Sequence, residues 1–188
     1  MKPMLYVAII TVLCIGLLAA VLLPGCKKRP NTTDDIDGGV RHYVDENAPK
    51  VIESTQIVSF ECYFSTLDLS IGDTALAGRV YTLKAAQNGG SYATRAGGEV
   101  YDDLTFTPDP HFFEQLQHIV SQYDFAQYNG QHYTASGLPP DFGAKLTVEY
   151  ASGEYICASD NQNCFIPLDA MQALVELFRE ACASNQNL

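Results

Sequence analysis

Apolar and polar positions divide the chain into three kinds of stretch. Residues 4–23 form an uncharged apolar run, residues 27–49 are polar and charged without periodicity, and from residue 57 onward apolar positions recur every two or every three to four residues. Period two marks a half-buried strand and a period near 3.6 an amphipathic helix. Over residues 57–67, Val58, Phe60, Cys62 and Phe64 alternate with Ser59, Glu61, Tyr63 and Ser65, which predicts an antiparallel strand with one polar face. The pattern breaks at Gly72-Asp73 and resumes over residues 79–86. Asn88-Gly89-Gly90 accepts the positive φ of a tight turn, so residues 91–95 return as a second arm. Gly97-Gly98 permits another reversal into residues 100–106.

Thr107-Pro108-Asp109-Pro110 reads as a helix start, with the Thr107 hydroxyl at the cap, proline early and Asp109 in the first turn. Phe112, Leu116, Ile119 and Tyr123, flanked by Phe113 and Val120, form its buried stripe. His111, Gln115, His118 and Gln122 form the opposite stripe. Histidines seven residues apart lie about 10.5 Å apart along a helix axis, too far to share one ion, so this stripe is a solvated face. Residues 145–150 and 154–158 flank Ala151-Ser152-Gly153 as a further hairpin. Pro167 starts a last helix in which Met171, Leu174, Phe178 and Ala181 or Cys182 face inward, while Gln172, Glu176, Arg179 and Glu180 face water. The order of elements predicts an α+β fold: an antiparallel β-sheet of hairpins with two α-helices packed on one face.

Two stretches inside this frame could carry recognition. Residues 124–142 hold Tyr128 and Tyr133 among Asn129-Gly130, Gly137 and Pro139-Pro140, the longest irregular stretch of the domain. Long loops are frequent binding loops and tyrosine offers a large contact area with a polar tip, so Tyr128 and Tyr133 are candidate contacts. The plainer reading is a loop folded over the sheet with its aromatics buried. Asp160 and Asn161, in the polar tip of residues 159–163, could hold a cation or a sugar hydroxyl through side-chain oxygens; the plainer reading there is a turn.

The apolar run has its own logic. Lys2 precedes it, and Leu23-Pro24-Gly25-Cys26 closes it before Lys27-Lys28-Arg29. Leu23, Gly25 and Cys26 sit where bacterial lipoprotein precursors have their aliphatic, small and cysteine positions, so this end resembles a lipoprotein signal peptide. Pro24 departs from that pattern. The resemblance implies that residues 1–25 are removed and that Cys26 carries a diacylglyceryl group and becomes the mature N-terminus. It also implies palmitate-type acyl chains and a domain held at the cell membrane, facing outside the cytoplasm. Two acyl chains give stable attachment where one gives only marginal binding. The alternative is an uncleaved single span, since 20 residues at about 1.5 Å each just cross a hydrocarbon core of about 30 Å. The basic cluster would then lie in the cytoplasm. Residues 26–50 read as a lipid-anchored flexible tether and residues 51–188 as a single α+β domain. Asp34-Asp35-Ile36-Asp37-Gly38 within the tether does not make a calcium loop, because the template places Thr33 and Val44 where carboxylates are required.

Charge narrows the partners. From Pro30 onward 7 basic residues face 22 acidic ones, a balance of −15. No basic stripe is available for phosphate contacts, so nucleic acid is excluded as a partner. The acidity also keeps the body off anionic lipid, leaving the membrane end to Cys26 and the basic cluster. Four cysteines remain beyond Cys26, and Cys157 and Cys164 bracket a loop short enough to be closed by a local disulfide. Without CxxC spacing, neither a zinc ribbon nor a thioredoxin-type site is expected. No GxSxG, SxxK, HExxH or phosphate-loop pattern occurs. Asp102-Asp103, as strand neighbours, point to opposite faces and cannot share a proton. Neither a catalytic residue, a metal site nor a cofactor is therefore assigned. The expected role is a non-catalytic binding or interaction module with an envelope protein or small ligand as partner. The alternative is an envelope hydrolase with a Cys-His site assembled in space.

Overall fold

The structure is a computed structural model that describes residues 35–37, 39–67, 76–138 and 142–185. All of the described residues belong to one unit, Thr32–Leu188. The expected signal peptide, its alternative as a membrane span, and Cys26 all lie outside the described residues. Among the described residues, no helix is long and apolar enough to cross a membrane.

This unit is α+β. Its strands are β1 (Asp35–Asp37), β2 (Val40–Val44), β3 (Ile57–Ser65), β4 (Val80–Ala86), β5 (Gly89–Ala96), β6 (Glu99–Phe106), β7 (Gln131–Ala135), β8 (Ala144–Tyr150) and β9 (Tyr155–Asp160). Its helices are α1 (Pro110–Gln122) and α2 (Leu168–Asn185), with a 3-10 turn at Phe125–Tyr128. The strands form one sheet in the order β1-β2-β7-β9-β8-β3-β4-β5-β6. Neighbours pair antiparallel except β7 and β9, which are parallel through His132↔Ser159 and Tyr133↔Asp160. That pair corrects the expectation of a sheet built from hairpins alone.

Two further expectations are corrected. Part of the supposed tether is sheet: β1 pairs with β2, and β2 pairs with β7 in the register Val40↔Ala135 to Val44↔Gln131. Within the supposed irregular stretch, residues 131–135 are β7. Neither strand carries a long apolar alternation, because both lie toward one margin of the sheet and His42, Val44 and Thr134 remain exposed.

The central strand is β3, paired with both β4 and β8. Phe60, Cys62 and Phe64 are buried as their period implies, but the register shifts between Ile57 and Ser59. This bulge puts two residues opposite one, so Ile57 rather than Val58 enters the core. The β4–β5 turn is also tighter than expected: Ala86 pairs with Gly89, and Gly90 lies under the Phe106 ring, where a Cβ would come within 2.4 Å of a ring carbon. At α1 the cap is Asp109, not Thr107: the Asp109 carboxylate accepts the Phe112 N–H at 2.8 Å and Pro110 follows at the first helical position.

Phe112, Leu116, Ile119 and Val120 of α1 and Met171, Leu174, Phe178 and Cys182 of α2 join Phe60, Cys62, Phe64, Leu83, Leu146 and Val148 in a single core. Phe178 is its hub, with ring centroids 5.9 Å from Phe60, 5.6 Å from Phe106 and 5.2 Å from Phe112. α2 packs on β5, β6 and α1.

Before β8, Gly143 has φ +74° and a Cβ there would meet the Asp160 carbonyl oxygen at 1.9 Å, whereas Gly153, at φ +87°, has nothing within 4 Å of the same position. Left-handed strain alone costs about 1–2 kcal/mol for a residue with a Cβ. Gly153→Ala is therefore expected to lower stability by that amount. Gly143→Ala, which also drives a Cβ into backbone, should cost on the order of 4 kcal/mol or more. Urea midpoints of the two variants, compared with wild type, measure the difference.

Candidate functional site

The polar tip after β9 is a framework element. Asp160 is buried, and its Oδ1 accepts the N–H groups of Gln162 at 2.7 Å and Asn163 at 3.0 Å, which closes the turn. Asn161 accepts the Ala135 N–H on its Oδ1 at 2.7 Å and donates from Nδ2 to the Ala135 carbonyl at 2.9 Å. Its amide thus stands in for one more strand residue beside β7, prolonging a parallel pairing only two residue pairs long. The donors and acceptors that suggested a ligand site are engaged in holding this turn against β7.

Tyr133 pairs with Asp160 on β9 and its ring lies 4.7 Å from that of His42, so Tyr133, Asp160 and Asn161 come together where β7 meets β9. Tyr128 is not part of that group. It sits in the 3-10 turn against Phe165, with centroids 5.0 Å apart, and burial pushes its phenol up from the ordinary value. Phe125 in the same turn is fully buried, so this part of the stretch packs onto the domain as the plainer reading expects.

On the other face of β7, His132 Nδ1 and Ser159 Oγ share a hydrogen bond at 3.0 Å, and the His132 ring lies 5.7 Å from that of Tyr43. Burial pushes the imidazole below its usual 6.5, with the Asp45 carboxylate opposing this weakly. The pair stabilises the parallel β7–β9 contact in its neutral form.

Cys164 is a thiol, as are Cys62 and Cys182, so the local Cys157–Cys164 bridge is not formed. Cys157 is itself disulfide-bonded, and strand alternation turns it away from Cys164. Ile156 and Ala158 bracket Cys157 on β9 and Ile156 belongs to the core, which turns Cys157 to the opposite face. Cys164 instead packs against the core, near enough to Cys62 to affect its ionisation. Burial pushes the Cys62 thiol well up, with Cys164 and Glu61 adding to the effect, and burial alone raises Cys182. Raised thiols are poor nucleophiles, so Cys62 and Cys182 do not suit a Cys-His hydrolase. Among the described residues no group of three or more His, Cys, Asp and Glu side chains could hold a metal ion.

Among the described residues, an open concavity lies between the two helices. It has a volume of about 420 Å³ and is lined by Glu114, Gln115, His118 and Ile119 of α1 and by Ala173, Glu176, Leu177 and Glu180 of α2. Residues four apart share a helix face, so Glu114 with His118, Glu176 with Glu180, and Ala173 with Leu177 each form part of a wall. Ile119 and Leu177 are buried and Ala173 half-buried, giving an apolar floor; the three glutamates, Gln115 and His118 are exposed on the rim. Glu114 also lies 3.6 Å from His111 Nδ1, an exposed contact of small energetic weight. Both polar stripes read from the sequence as solvated faces, and only the side-by-side packing of α1 and α2 turns the two solvent faces into the rim of one groove.

Compared with known proteins, the chain matches no family, no curated protein and no solved structure.

Two outcomes follow from this geometry. Asn161→Ala removes both bonds to Ala135 and is expected to cost about 1–3 kcal/mol. Amide exchange at Ala135 should accelerate while that at Leu146 is unchanged beyond the global shift. Because His132 has a folded-state value below its unfolded 6.5, its contribution is fully present above about pH 6.5 and is lost as pH falls through the lowered value. The urea midpoint of wild type should therefore fall between pH 7.5 and 5 by more than that of His132→Phe, measured in parallel.

Proposed function

We propose that the chain is a lipid-anchored extracytoplasmic protein whose folded unit is a non-catalytic binding or interaction module. In this reading Cys26 carries the acyl chains, and both helices cover the same face of the sheet. The groove between them is the contact site. One observation carries the binding role: an apolar floor formed by Ile119, Ala173 and Leu177 lies open beneath an exposed polar rim, on a domain that is otherwise strongly acidic. Concave apolar surface framed by a few polar groups is the usual form of a recognition site. Tyr128, Tyr133, Asp160 and Asn161 become supports of the fold in this reading, since each is engaged in packing, turn closure or strand pairing.

The anchor and the binding role are tested separately. Intact mass of the membrane-extracted protein should show loss of residues 1–25 and a diacylglyceryl adduct on Cys26. An unprocessed mass overturns the anchor in favour of a single span. A photo-reactive side chain at Gln115, on the groove rim, should give a discrete adduct in cells, whereas one at Asp103, an exposed position on β6, should not. Equal yields at the two positions, or none at Gln115, overturn the binding role.

A further inference from the structure

We infer that the groove between α1 and α2 takes a basic amphipathic helix of another protein, an inference that rests on the binding-module reading and names the chemistry of the partner. The floor is a strip formed by residues at helical spacing, Ala173 with Leu177 on α2 and Ile119 on α1. A third helix laid along two packed helices buries its own apolar stripe in such a strip, through residues at i, i+3, i+4 and i+7.

The rim selects the charge. Glu114, Glu176 and Glu180 stand around the floor, with His118 the one basic-capable side chain lining it and His111 set against Glu114. Arg179, the charged neighbour on α2, is exposed and is not among the residues that line the groove. An incoming helix therefore meets carboxylates on both walls, and Lys or Arg flanking its apolar stripe satisfies them. Their apolar stems also cover the floor margin.

The same charges argue against other occupants. A second copy would bring a body that is itself acidic, with 22 acidic residues in the chain, against an acidic rim. An anionic lipid surface is repelled for the same reason. The groove is shaped as a trough between two helices and not as an enclosed cavity, which suits a rod-like partner over a small molecule.

The test uses the full chain in detergent and a labelled peptide of about five helical turns, roughly 18 residues. The peptide is built from Leu and Lys with Leu at i, i+3, i+4 and i+7. A control peptide of identical composition has its Leu positions scrambled. Fluorescence anisotropy should show the striped peptide binding at least about tenfold more tightly than the scrambled one, a difference of about 1.4 kcal/mol. The double variant Glu176→Lys/Glu180→Lys should weaken binding by at least about tenfold. Ala173→Arg, which blocks the half-buried floor without emptying the core, should do the same. Glu99→Lys/Asp103→Lys makes the same charge change on β6, and should leave affinity within about threefold because both positions are exposed and neither lines the groove.

Equal binding of the scrambled peptide, or equal loss in the β6 variant, overturns the inference in favour of diffuse charge attraction. Self-association of the wild-type chain that the groove variants abolish overturns it in favour of a second copy. If the peptide fails while the Gln115 adduct still forms, only the basic helix is rejected; if both fail, the binding-module reading falls with it.

Discussion

The packing of Phe178 fixes the relation between the helices and the sheet. Its ring touches Phe60 from the central strand, Phe106 from the end of β6 and Phe112 from the first turn of α1. Four elements therefore meet at one side chain: β6 and α1, which are consecutive, with β3 and α2 from distant parts of the chain. Each aromatic contact of this kind adds about 0.5–1.5 kcal/mol beyond the area it buries. The Phe106 ring can reach this junction because Gly90 lacks a Cβ, so a glycine on β5 is a condition for how α2 sits. With the inner sides of α1 and α2 held by Phe112 and Phe178, Ile119, Ala173 and Leu177 border the groove between them, and the glutamates are left outside it.

A second junction is polar. Asn129 is fully buried; its Nδ2 donates to the carbonyls of Pro49 and Tyr155, at 3.0 and 2.9 Å, and its Oδ1 accepts the Cys157 N–H at 2.8 Å. Lys50 in turn donates to the carbonyls of Asn129 and Gln127. All of the amide's hydrogen-bonding groups are thus engaged, which a buried amide requires to avoid a penalty of about 1–3 kcal/mol per lost partner. The junction links the segment between β2 and β3 to the 3-10 turn and to β9. It accounts for why residues near 49–50, expected in a tether, belong to the folded unit.

Legibility in the sequence followed the range of the forces involved. β3, β4, β5, β6, β8, β9 and both helices are written in local periodicity, and most of their apolar residues are buried as that periodicity implies, with Val58 on β3 and Val100 and Tyr101 on β6 as exceptions. β2 and β7 depend on partners supplied by distant chain, including a parallel pairing to β9, and leave no alternating stripe of their own. The bulge at Val58 and the cap at Asp109 are one- and two-residue displacements that geometry decides and composition does not. Candidate residues misled for a related reason. Asp160 and Asn161 advertise hydrogen-bonding capacity, but a sequence does not show that the capacity is already used by Gln162, Asn163 and Ala135. The groove presented the opposite difficulty, since its two walls were visible as separate polar stripes whose adjacency is a tertiary fact.

Where recognition can lie is then a matter of what the fold leaves unspent. The polar tip is consumed by turn closure, His132 by Ser159, and Tyr128 by Phe165. What is left between the helices is shape and charge, an apolar strip with carboxylates along it. Such a surface discriminates through burial and the sign of charge, since hydrogen-bond geometry has little part in it, so it suits a partner defined by helical periodicity and basic flanks. A body of −15 is repelled by anionic lipid, which leaves that surface to partners of opposite charge. The acidity that reads first as solubility thus acquires a second consequence, because it decides which partners can approach the groove at all.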